Sequence, residues 1–133
     1  MNRSINPDGW PRPSGFSNGV LAEGRLLAIS GQIGWDENGR LVGQDFLAQA
    51  RRALENVVAV LRAAGGEPAH LVRLTWYVTD KNAYREALQS LGVAYRDVVG
   101  AHYPAMALVQ VADLLEEGAM VEIEATAVLP ATG

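Results

Sequence analysis

Between residues 45 and 64 the apolar positions fall in one stripe: Leu47, Ala50, Leu54, Val57, Val58 and Leu61 recur at spacings of three and four. That period predicts an amphipathic helix, with Asp45 placed to cap its start and Gly65-Gly66 to end it in a left-handed turn. The next stretch, "HLVRLTWYVTD", switches to period two. Val72, Leu74, Trp76 and Val78 share one side and Arg73, Thr75, Tyr77 and Thr79 the other, the signature of a strand, and Asp80 stands ready to cap a second helix. That helix is expected from about Lys81 to Val99 with Tyr84, Ala87, Leu88, Leu91, Tyr95 and Val98 inward; Gly92 costs about 1 kcal/mol against Ala and predicts a kink or break.

Shorter patterns fill the rest. Residues 1–14 hold three prolines and a glycine and read as an irregular N-terminal arm, with a single domain over 15–133. "VLAEGRLLAIS" reads as a hairpin turning at Glu23-Gly24, and "DENG" as a second turn, so the first forty residues predict a small antiparallel sheet. "AMALVQVADLL" and "AMVEIEATAVL" are two closing strands joined around Glu117-Gly118. The order β-β-β-α-β-α-β-β predicts an α+β layer, one mixed sheet with both helices on one face. The other sheet face then needs a cover, which predicts a homo-oligomer.

Composition narrows the chemistry. At 133 residues, 49% hydrophobic, the chain can bury about two thirds of its unfolded surface. A net charge of −4, with arginines scattered rather than striped, argues against a nucleic-acid groove. Without cysteine there is no thiolate nucleophile, disulfide or zinc-thiolate site. No stretch has the apolar core of a signal peptide or the length of a membrane span, so a soluble, cytoplasmic protein without membrane or nucleic-acid partners is expected. His70 and His102 have no metal-ligand spacing, and Gly-x-Ser-x-Gly is absent.

The last strand carries the clearest chemistry. Val121, Ile123, Ala125 and Ala127 form its apolar face, while Glu122, Glu124 and Thr126 share the side expected to be covered by a partner. A carboxylate partly withdrawn from water is a plausible general acid or base, and an edge strand with solvated glutamates is the alternative. "SGQIGW" places glycines around Gln32 at a strand junction. It reads either as a β-bulge or as a site of close backbone approach to a ligand.

These stretches together resemble the reactive intermediate deaminase family (RidA, also YjgF or L-PSP-like proteins): "GFSNGV", "ISGQIG", "QARRALENVVAVLRAAGG", "VRLTWYVTD", "YPAMALVQVADL" and "AMVEIEATAV", in the family's order from Gly15 to Val128. The resemblance implies a chorismate-mutase-like fold assembled as a homotrimer, with ligand clefts at the subunit interfaces. It also implies hydrolysis of enamines and imines to keto acid and ammonia, without metal or cofactor. Carried onto this sequence, Glu122 is the catalytic, water-positioning glutamate. Phe16, Ser30, Gly31, Gln32, Trp35, Ala105, Met106 and Leu108 form the substrate-binding set.

The sequence departs from the family at two places. Phe16 lacks the usual tyrosine hydroxyl, and the Pro-Ala-Arg-Ser motif whose arginine holds the substrate carboxylate reads Pro104-Ala105-Met106-Ala107. A charge-assisted contact of that kind contributes about 1.5–3 kcal/mol, and Met106 offers no hydrogen to it. Small imino acids are therefore expected to bind poorly, and a larger or less charged ligand better. Three functions stay open: a deaminase of altered specificity, aminomuconate-type deamination included; a non-catalytic trimeric small-molecule-binding protein; and, last for want of a basic groove or a histidine pair, a ribonuclease.

Overall fold

A computed structural model describes residues 2–132; the outermost residues of the expected arm and domain, 1 and 133, lie outside the described residues. The chain runs β1 (Arg3–Ile5), β2 (Gly19–Leu21), β3 (Arg25–Gln32), α1 (Phe46–Ala63), β4 (Leu71–Val78), α2 (Lys81–Glu86), α3 (Leu88–Val98), β5 (Ala105–Gln110) and β6 (Val121–Leu129). The fold is the expected mixed α+β arrangement. A four-stranded sheet in the order β3-β6-β4-β5 has β6 antiparallel to both neighbours and β4 parallel to β5.

Helix α1 forms where its period places it. The Asp45 carboxylate accepts from the Ala48 N–H at 3.0 Å, and Gly65 takes φ +86° just past the end, where a side chain would be strained. Its buried face, Ala50, Ala53, Leu54, Val57, Val58 and Leu61, packs on the side of the sheet formed by Ile29, Leu71, Leu74, Trp76, Val121, Ile123 and Ala125. Leu91 and Tyr95 of α3 join the same core, so the helices do cover one face. Along β6 burial alternates residue by residue, with the valine, isoleucine and alanine positions inside.

Several local expectations are corrected. β2 does not form a hairpin with β3; it pairs with β1 as a separate two-stranded ribbon, so the arm expected to be irregular carries a strand. β3 instead pairs with β6, about a hundred residues further along the chain, with Arg25 opposite Leu129 and Gln32 opposite Ile123. The first forty residues are therefore split between two sheets, because a three-residue strand has too little pattern to choose its partner locally. The second helix breaks at Ala87 (ψ 0°) and continues unbroken through Gly92. Packing sets that break. Tyr84 of α2 wedges edge-on against Phe46 and Trp76, while α3 is seated separately by Leu91, Ala94 and Tyr95. In β4 a register shift between Leu71 and Arg73 puts Leu71 inside and leaves Val72 half-buried, out of step with simple alternation.

The sequence gives no hint of the buried Gln49. Its amide donates to the carbonyls of Gly43 (2.6 Å) and Gly118 (3.0 Å) and accepts from the Met120 N–H (2.8 Å). One fully satisfied side chain thus ties the segment before α1 to the segment that leads into β6.

Candidate functional site

The Ser30–Gly31 step is a bulge: the β3–β6 register shifts between Ile29 and Gln32. The group that comes close to the backbone here belongs to the chain itself, the side chain of Glu122. A side chain carbon at Gly31 would lie 2.7 Å from Glu122 Cδ and overlap its carboxylate, so glycine is required for Glu122 to lie across the strand. Gln32 folds back, its Nε2 donating to the Ser30 carbonyl (3.2 Å) and the Ser30 hydroxyl (3.3 Å).

Glu122 is half-buried on the open face of the sheet, opposite Tyr77 in the register. The Tyr77 hydroxyl reaches past it to donate to Glu124 Oε1 at 2.7 Å. That hydrogen bond, followed by partial burial and the negative charges of Glu124 and Glu122, raises the Tyr77 pKa above 10.0, so the phenol stays protonated. The result is a corner with one carboxylate engaged by a phenol and a second one resting on backbone.

Met106 lies elsewhere. Its partner in the parallel β4–β5 register is Leu74, and Leu108 pairs with Trp76, so both face the helix side and pack against the core. Ala105 pairs with Arg73 on the open face and lines a small cavity of about 200 Å³ with Phe16, Asn18 and Thr75. The strap of residues 13–18 runs along the outer edge of β5. The Ser17 N–H donates to the Pro104 carbonyl (3.1 Å) and the Ser17 hydroxyl to that of Tyr103 (2.6 Å), which sets Phe16 beside Met106.

Phe16 and Met106 open onto a larger cavity of about 430 Å³, walled by Trp76, Tyr84, Leu88, Leu91, Tyr95 and Tyr103 as well. Trp76 is buried and its indole N–H has no hydrogen-bond partner among the described residues. Tyr95 stacks on Tyr103 at 5.4 Å and its hydroxyl donates to the His102 carbonyl at 2.6 Å. Burial first, and the neighbouring Tyr103 second, push the Tyr95 phenol well above its ordinary pKa.

Within one chain, then, the sequence-derived residues divide into two groups at opposite edges of the sheet. Ser30, Gly31, Gln32 and Glu122 gather at the β3–β6 corner; Phe16, Ala105 and Met106 gather at the β5 edge, with Leu108 further along the same strand. Trp35 joins neither. It sits on the Asp36–Arg40 turn, with its carbonyl accepting from Arg52 Nε (3.1 Å) and Asn56 Nδ2 (2.9 Å) of α1.

The two histidines share a cavity of about 440 Å³ with Glu23, a proximity that sequence spacing hides. Each has a committed ring nitrogen: His70 Nδ1 accepts from the Glu67 N–H at 3.0 Å, and His102 Nε2 lies 2.8 Å from the Leu71 carbonyl. Among the described residues no group of three or more histidine, aspartate or glutamate side chains is placed to hold a metal, and no helix is long and apolar enough to cross a membrane.

Comparison with known proteins adds a family context to this geometry. Residues 11–129 match the family model described as Endoribonuclease L-PSP. The chain is 37% identical over 129 residues to the 2-iminobutanoate/2-iminopropanoate deaminase of Salmonella typhimurium, covering 96% of this chain and 98% of that one. Among solved structures it is similar to the Rid protein YyfB of Yersinia pestis (42% identity, TM-score 0.81, 96% and 98% covered) and to E. coli TdcF with bound serine (31%, 0.70, 96% and 98%).

Proposed function

Because the chain belongs to the L-PSP family, which takes in the RidA and YjgF proteins, we propose that it is an enamine or imine hydrolase, a deaminase whose substrate differs from the small imino acids of its relatives. The observation that carries this reading is the Glu122 carboxylate laid over Gly31. In the proposed reaction a water held by Glu122 attacks the carbon of a C=N bond while the carboxylate takes its proton. With the substrate entering as the protonated iminium, this attack gives a neutral carbinolamine. Glu122 then hands its proton to the amine nitrogen, and as the C–N bond breaks the hydroxyl gives up its proton to the carboxylate, leaving a C=O and ammonia. Backbone N–H groups at the Ser30–Gly31 bulge would steady the developing charge on oxygen.

The same reading asks for a second copy. Glu122 faces the open side of the sheet and Met106 the helix side near the far edge, so a single chain leaves each half of the site without the other. The open face also presents Leu26 (73% exposed) and Val109 (43% exposed), apolar surface that a neighbouring subunit would cover. A homotrimer with a cleft at each interface satisfies both demands. The substitution that separates this chain from its deaminase relatives is Met106, which brings polarizable apolar surface where a cation would grip a small carboxylate.

The test is ammonia and keto-acid release from imines generated in place by an amino-acid oxidase, with sedimentation to count subunits. Glu122→Gln is expected to lower turnover about 10²- to 10⁴-fold at an unchanged melting temperature. A Glu122→Gln protein as active as the parent would sink the mechanism. Absence of turnover with any imine, beside ligand binding that responds to substitution at Met106, would identify a trimeric binding protein instead.

A further inference from the structure

The large cavity beside Met106 contains one charged side chain. Arg96 lines it from α3, and the guanidinium is folded back over Gly92, whose own position would bring a side chain carbon no nearer than 3.7 Å to Arg96 Nη1. On the helices Arg51 is engaged with Glu55 and Asp97, Arg52 with Glu37, and Arg62 with Glu67; Arg85 of α2 has no ion pair among the described residues but does not line this cavity. Arg96 has no ion-pair or side-chain hydrogen-bond partner among the described residues. Apart from Ser14, Gly15 and Gly92 the remaining walls are aromatic or aliphatic, and a volume of about 430 Å³ falls in the range of small-molecule pockets.

We propose that this cavity binds a bulky apolar, preferably aromatic, monocarboxylate. The ring lies among Phe16, Tyr84, Leu91 and Met106, and the carboxylate meets Arg96. An unpaired cation above an apolar hollow selects for a ligand with both features, because an anion too short to fill the hollow leaves apolar walls wet and a neutral one leaves the guanidinium without its charge-assisted partner. The cation that Met106 cannot supply thus comes from helix α3. Gly92 acquires a role too, as the position whose missing side chain keeps the mouth open in the middle of a regular helix. Joined to the deaminase reading, on which only turnover rests, this names the substrate class as 2-imino acids with a large apolar side chain.

Calorimetric titration of the full chain with 3-phenylpropionate, its amide and propionate tests the binding without any chemistry. The aromatic acid is expected to bind about tenfold or more tightly than either of the others. Arg96→Gln should erase the preference for acid over amide while leaving the amide's affinity in place. Gly92→Ala should raise the melting temperature, since alanine is the better helix former, and weaken the aromatic acid. Equal binding of propionate and 3-phenylpropionate, an acid-to-amide ratio that survives Arg96→Gln, or no binding at millimolar ligand would overturn the proposal. If the cavity fails in this way while imine hydrolysis still depends on Glu122, the deaminase reading stands alone. Binding as expected without turnover of a phenylalanine-derived imine leaves the cavity and removes the enzyme.

Discussion

The two halves of the candidate site are built on opposite terms. At the β3–β6 corner nothing can be added: Glu122 occupies the space that any side chain at Gly31 would take, and Gln32 is turned back onto Ser30. At the β5–α3 edge there is a hollow of about 430 Å³, bounded by a methionine, an arginine with no partner among the described residues, and a glycine with room beside it. The corner holds one group in one place. The hollow has slack, and slack is where, on the proposed reading, the ligand can change while the carboxylate at the corner stays in place. Position and specificity are then separable by mutation, each half responding to changes the other ignores.

The largest expected effect comes from filling the corner. Gly31→Ala puts a methyl group where the Glu122 carboxylate lies, and because the carboxylate is the far end of a flexible side chain it moves aside rather than forcing the sheet apart. Displacing a reacting group by about 1 Å is enough to lose about 10²-fold in rate. The imine assay should show that loss at a nearly unchanged melting temperature, and titration with 3-phenylpropionate should give the parent's affinity. Full activity in Gly31→Ala would mean that the contact between Gly31 and Glu122 does not position the acid, and the contrast between the two halves would collapse.

Next in size is the support beneath that corner. Gln49 hydrogen-bonds Gly43, Gly118 and Met120, and Met120 stands just ahead of the strand that carries Glu122. Gln49→Leu takes the partner from two carbonyls and an N–H that are only partly shielded from water, so it is expected to cost about 1–3 kcal/mol in chemical denaturation. Turnover should fall with it at temperatures where the protein stays folded, because the run into β6 loosens. The β5 hollow draws no contact from Gln49 and should keep its ligand. A variant equally stable to the parent would show that water enters to satisfy the orphaned groups.

How far the sequence revealed each half follows from the range of the interactions involved. Helix α1, its Asp45 cap and the alternation of β6 rest on neighbours within a few residues, and those patterns are explicit in the chain. The bulge at Ser30–Gly31 was legible as a glycine anomaly, though the partner that fills it is ninety residues further on. The β5 edge was harder. Period two says that Met106 and Leu108 share a face, yet only the register against Leu74 and Trp76 says that this face is the helix side. The pairing of β2 with β1, the break at Ala87, and Arg96 folded over Gly92 likewise depend on tertiary packing. Gln49 has no local signature at all, since a polar residue in an amphipathic helix ordinarily reads as solvent-facing.

The smallest effect sharpens the contrast from the side of the hollow. Tyr95 walls it, is buried, and donates its hydroxyl to the His102 carbonyl at 2.6 Å. Its pKa is raised by burial and then by Tyr103, so in the folded chain the phenol keeps its proton at pH values where an unfolded chain, with an ordinary value of 10.0, has lost it. A group with a raised folded pKa contributes its stability fully below the unfolded value and loses it as pH climbs above. The parent should therefore hold its stability at neutral pH and lose it progressively above pH 10. Tyr95→Phe costs about 1 kcal/mol at pH 8, for the lost hydrogen bond. Above pH 10 the variant should decline less steeply than the parent, although Tyr77 and Tyr84, both raised, keep some slope. Denaturation at pH 8 and pH 11 reads the difference. Parallel pH profiles for the two proteins would mean that Tyr95 is not the proton the fold protects, and that the wall of the hollow opens to water before the alkaline range is reached.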